Sequence, residues 1–162
     1  MTANPAMTIE QVEVRCDALV GAAAGSLAGD ARAIGDELLA MGEAVLEAWL
    51  WSKGREPTDN QTEGFRLLAL HRQAAKGDPS FNACRETCRE IVYHRNLIHF
   101  DEKLGDADRT ARMGAMVVLH LALFVGGKLR ESGLGEFCCS SRGIREGARV
   151  AQERATSMTQ EI

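Results

Sequence analysis

Residues 80–100 read SFNACRETCREIVYHRNLIHF. Phe81, Cys84, Cys88, Ile91, Arg95 and Ile98 recur at steps of three and four, the spacing that lines up side chains on one face of a helix. The pattern predicts a helix whose apolar stripe is interrupted once, by a guanidinium. His99 lies four residues beyond Arg95, one turn away on the same face. A guanidinium facing a bundle interior or a subunit interface costs free energy unless it is paired or lines a polar cleft. Asn96 and Arg89 fall on the adjacent edge, with Arg85 one turn before Arg89, and Tyr93 and His94 flank the group.

The same periodicity extends outward in both directions. Ile9, Val12, Cys16, Leu19 and Ala23 mark a first helix, and Gly25 to Gly29 is a small-residue break. Asp30 is placed to cap a second helix with the stripe Ile34, Leu38, Met41, Val45 and Trp49, ended by Gly54 and Pro57. Thr58 or Asp59 is expected to cap a third helix carrying Phe65, Leu68 and His71. Gly77-Asp78-Pro79 stops that helix and starts the fourth, which runs to about Phe100. A fifth helix is expected over about 108–131, and a short charged one over about 140–155, with 156–162 frayed. No segment alternates apolar and polar residues in the manner of a strand. The expected fold is a single all-α domain over 1–162, an up-and-down bundle of four core helices with one or two extra.

The composition narrows the function classes. The chain has 162 residues, 45% of them hydrophobic and 26% charged, which suits one globular domain. Acids outnumber bases 23 to 19, whereas a binder that grips nucleic acid by overall charge is usually basic, so any such role rests on a local site. Five cysteines, with Cys138 and Cys139 adjacent, make a poor disulfide framework. With no basic n-region or apolar h-region at the N-terminus, the expected compartment is the cytoplasm. The most apolar run, Met113 to Val125, is shorter than the roughly 20 residues of a membrane span and reads as the most buried helix, with no membrane association expected.

Arginines and histidines crowded onto a few helical turns suit phosphodiester chemistry. Arginine binds phosphate bidentately, and histidine titrates near neutrality and can move the proton of a ribose 2′-OH or of the leaving oxygen. The Arg95-Asn96 pair followed by His99 resembles the signature of the HEPN superfamily: an arginine, then a polar residue that is often asparagine, then a histidine after a gap of four to six. Three residues separate Arg95 from His99, one fewer than in that pattern. Arg89 and His94 have the family gap, but Glu90 follows the arginine and the two side chains point about 140° apart on an ideal helix. The resemblance covers mainly residues 85–100. It implies a small, frequently dimeric helical bundle, often a metal-independent endoribonuclease of toxin–antitoxin or phage-defence systems. On that reading Arg95 binds the phosphate, Asn96 orients it and His99 is general acid/base. Arg89 and His94 are the second candidates, no metal or cofactor is required, and the partners are RNA and a second copy of the chain.

Other readings of the same residues remain open. Arg95 could pair with Glu43 or Glu47 in a purely structural network, leaving a non-enzymatic interaction module with a protein partner. His71, His94, His99 and His120 could line a metal or small-ligand site, although His120 reads more simply as a hydrogen-bonded core residue. Cys84 and Cys88 lack the second cysteine pair of a zinc site and read as core. The absence of any Glu-x-x-His sequence argues against di-iron chemistry.

Overall fold

The computed structural model describes residues 7–132. They form five α-helices: α1 (Ile9–Val20), α2 (Ala31–Ser52), α3 (Arg66–Gly77), α4 (Arg85–Phe100) and α5 (Ala107–Arg130), with no strand among the described residues. The fold is the helical bundle that the periodicity predicts. The segment expected to be helical over 140–155, and Cys138 and Cys139, lie outside the described residues.

Contacts at four levels fix the helix directions. Gly35 of α2 meets Arg95 and His99; Leu38 meets Gly114, which also faces His94; Gly42 meets Ile91 and Leu67. At the far end the Trp49 ring meets Phe81 at a tilt, and Phe81 meets Phe124 edge to face. The chain numbers therefore rise along α2 and α5 as they fall along α4. α4 is antiparallel to α2, and α5 is parallel to it. α1 docks mainly on α5, and α3 mainly on α2. The predicted stripes are buried: Val12, Cys16 and Leu19 on α1, Leu38, Met41 and Val45 on α2, Cys88 and Ile91 on α4. By length and composition α5 could cross a membrane, but 61% of its most apolar window is covered by the other helices.

The helix ends depart from expectation where side chains found other work. α1 starts at a capping box in which Thr8 and Gln11 satisfy each other's backbone amides, and it stops at Val20, before Ala23. Asp30 stands before α2, but its side chain makes no capping bond. α3 begins at Arg66, leaving Phe65 as its N-cap and residues 53–65 irregular. Neither Thr58 nor Asp59 caps it. Thr58 instead receives a bond from Arg66 Nε on its carbonyl (2.9 Å), and its amide donates to Gln73 Oε1 (2.9 Å), which straps the loop along α3. Left-handed Glu63 (φ 53°) and Gly64 (φ 86°) turn the chain tightly into α3. Residues 79–84 are a 3₁₀ turn opened by Asp78, so α4 proper starts at Arg85.

α5 is capped by Asp106, whose side chain accepts from the Arg109 amide at 2.9 Å. Asp108 turns inward instead, accepts from the Leu27 amide at 2.8 Å and pairs with Arg112. The Arg112 guanidinium in turn donates to the carbonyls of Leu19, Val20, Ala22 and Ala23, which takes up the open end of α1.

Candidate functional site

The α2–α4 contact brings Arg95, His99 and Asn96 together with a residue the sequence did not single out, Asp36. Gly35 faces this contact. A Cβ there would sit 3.5 Å from His99 Cδ2 and 3.6 Å from Arg95 Cγ. Asp36, next along α2, then places Oδ1 3.0 Å from His99 Nε2 and 3.5 Å from Arg95 Nε. Both nitrogens are shielded from water, and neither makes an aligned hydrogen bond within the protein. The carboxylate is open to solvent: the Asp36 side chain is 61% exposed, against 20% for Arg95 and 16% for His99.

The rest of the Arg95 guanidinium is held from several sides. Nη1 donates to Asn96 Oδ1 at 3.1 Å, and Cζ lies 5.5 Å from the Phe100 ring and 5.9 Å from the Phe65 ring. Phe100 is 71% exposed, so the cluster sits under an aromatic rim at the surface. One carboxylate, one imidazole and one guanidinium thus share a half-buried edge whose solvent-facing member is the Asp36 carboxylate.

The alternative in which Arg95 pairs with Glu43 or Glu47 is not what the structure shows. Both carboxylates go to Arg66 of α3, at 3.1 Å and 2.7 Å from its Nη1. Glu43 lies seven residues past Asp36, about 10 Å further along α2, level with the start of α3 and away from the end of α4. Burial pushes the Glu43 carboxyl up, and Arg66 only partly offsets that.

The second candidates do not join the cluster. Arg89 makes a bidentate pair with Glu63 at 3.0 Å on an exposed edge. His94 faces α5, buried, with Nδ1 2.7 Å from the Glu90 carbonyl one turn back. His71 is a buried core histidine whose Nε2 lies 2.7 Å from the Phe81 carbonyl. His120 is exposed on the outer side of α5, not in the core. The four histidines therefore do not converge, and among the described residues no three His, Cys, Asp or Glu side chains gather into a metal-holding group.

Asp36 had one trace in the sequence: the glycine before it, inside a helical stretch, where glycine signals a close approach of another element. What approaches is a matter of three-dimensional pairing. Compared with known protein families, with curated proteins and with solved structures, the chain matches none of them.

Proposed function

We propose that this is a cytoplasmic HEPN-like helical protein that cleaves RNA without a metal, at the Asp36–His99–Arg95 cluster. The observation that carries the reading is the shared oxygen: Asp36 Oδ1 reaches both an imidazole and a guanidinium at an edge open to solvent. With Asp36 Oδ1 beside Nε2, Nδ1 is the nitrogen left to take a proton. In the proposed step His99 accepts the proton of a ribose 2′-OH, and a bond forms from O2′ to phosphorus. The P–O5′ bond breaks, and the 5′-oxygen takes a proton from solvent. The products are a 2′,3′-cyclic phosphate and a 5′-hydroxyl. Arg95 stabilises the charge that develops on the phosphorus oxygens.

The functional unit in this reading is a homodimer. Tyr93 and Phe100, both exposed on α4, supply apolar surface beside the cluster that a second copy would cover. Light scattering on the 17.6 kDa chain is expected to give twice that mass.

The test is RNA cleavage by pure protein in the presence of a chelator, with the product ends identified. His99→Ala is expected to lose about 10²–10⁴ in rate. Unchanged cleavage by that variant, or none by the wild type, overturns the reading.

A second reading is favoured by the burial of Arg95 Nε and His99 Nε2 against α2. There the cluster is a clamp between α2 and α4 in a non-enzymatic interaction module. In that case His99→Ala changes the unfolding midpoint and no catalytic rate exists to lose.

A further inference from the structure

α3, the 55–63 loop and the start of α4 enclose an open basin of about 1170 Å³. Five cationic side chains line it, Arg55, Arg72, Lys76, Arg85 and Arg89, with Glu63 the one carboxylate among the lining residues. The basin thus carries four net positive charges on a chain whose formal net charge is −4. Glu63 is already taken up by Arg89, and Arg55 donates to the Gln73 carbonyl. Arg72, Lys76 and Arg85 are exposed and form no ion pair with any described carboxylate. Concentrating like charge in one concavity is unfavourable in the free protein and favours an anionic occupant.

We propose that this basin binds the phosphodiester backbone of a single-stranded nucleic acid. Four of the five cations are arginines, whose planar forks match phosphate oxygens and whose faces stack on bases. The rim adds the side-chain amides of Asn60, Gln61 and Asn82, which carry both donors and acceptors suited to base edges. Base edges are free for such contacts in an unpaired strand. An acidic protein partner fits less well, because tight protein interfaces centre on buried apolar anchors and this lining is mostly polar. The proposal stands on the basin alone and does not require cleavage at Asp36–His99–Arg95.

The test is fluorescence anisotropy with labelled single strands of about 12 nucleotides, one of RNA and one of DNA, titrated over a range of salt. The wild-type chain is compared with a variant carrying Arg72→Ala, Lys76→Ala and Arg85→Ala, checked for its helical circular dichroism. The DNA strand, which has no 2′-OH to attack phosphorus, serves as the uncleavable control. The wild type is expected to bind with a steep salt dependence. The triple variant is expected to bind at least about tenfold more weakly, with its log K against log salt slope smaller by about 2, since each lost phosphate contact removes about 0.7. The triple variant is expected to lose affinity for the DNA strand to the same extent, whether or not the wild type cleaves RNA. RNA bound more tightly than DNA assigns the ribose as part of the ligand, and equal binding assigns the backbone alone. Should the triple variant fold and bind as well as the wild type, should no strand bind at low salt, or should a poly-glutamate peptide bind equally well, the proposal fails.

Discussion

Asp36 Oδ1 lies 3.0 Å from His99 Nε2 across the α2–α4 contact, and most of the Asp36 side chain faces water. A carboxylate so placed can orient an imidazole while contributing little to stability. Under the proposed ribonuclease reading, Asp36→Asn is expected to lower cleavage by about 10²–10⁴-fold and to leave the urea midpoint nearly unchanged. Arg95→Ala uncovers no buried carboxylate, because its partner is already exposed. Its cost is expected to be about 1 kcal/mol or less, the range of solvated ion pairs. A loss of 3–5 kcal/mol, the range for breaking a buried pair, would show that the cluster is a structural clamp.

Gly114 and Gly35 are both buried on helices, and substitution is expected to affect them oppositely. A Cβ at Gly114 would collide with Leu38 Cδ1 and lie 3.3 Å from His94 Cβ. Gly114→Ala is therefore expected to cost about 1–3 kcal/mol through overpacking. At Gly35 the nearest atoms are at ordinary contact distance, 3.5 Å and beyond. Gly35→Ala is expected to be neutral or stabilising by up to about 1 kcal/mol, from the better helix propensity of alanine. Chemical denaturation of the two variants side by side checks the contrast.

The Lys128 ammonium is buried among aromatic rings, its side chain only 4% exposed, and is tied to Asp78 Oδ2 at 3.0 Å and to Ser80 Oγ at 2.7 Å. Its Nζ lies 5.4 Å from the Trp49 ring, 5.6 Å from Phe81 and 5.8 Å from Phe124. Asp78→Ala strands that charge and is expected to cost about 3–5 kcal/mol. Adding Lys128→Met is expected to recover much of the loss, which a double-mutant cycle measures. Burial works to raise the Asp78 carboxyl, but bonds from Ser80 and Lys128 outweigh it and hold the group below its ordinary value. A lowered acid stabilises the fold above its unfolded pKa, so this contribution is present above about pH 4. It is lost as the pH falls through the lowered value.

Burial also pushes the His71 imidazole below its ordinary value, against the bond to the Phe81 carbonyl, and the nearby Arg85 charge adds to the lowering. Between that lowered value and about pH 6.5 the unfolded chain binds a proton that the folded chain refuses. Stability is therefore expected to fall as the pH drops below about 6.5. Urea unfolding at pH 7.5 and pH 5.5 checks the sign, and the drop is expected to shrink in His71→Gln.

The apolar residues needed no partner's identity to be read. The stripes of α1, α2 and α4 point inward because a helix has one period, and Arg95 stood out because it breaks that period. The start of α3 was misread for a reason of the same kind. Thr58 is a good capping residue, but the folded chain uses its backbone to bind Gln73 and Arg66, a choice made by residues eight and fifteen positions away. Asp36 was missed because an exposed aspartate between stripe positions looks like any solvated residue until α4 is laid against it. The basin was not legible for the opposite reason: Arg85 and Arg89 stood out on α4, but Arg55, Arg72 and Lys76, which join them, come from two other segments.

The Arg112 guanidinium has a consequence for the birth of the protein. It receives carbonyls of the α1 end from up to 93 positions upstream, and its partner Asp108 fastens Leu27 from 81 positions away. The first helix leaves the ribosome long before either residue is made. During synthesis its last turn has only water for its carbonyls, and its apolar face lacks the helix on which it mainly docks. The beginning of the chain must wait for the residues around position 110 before its place in the bundle is secured.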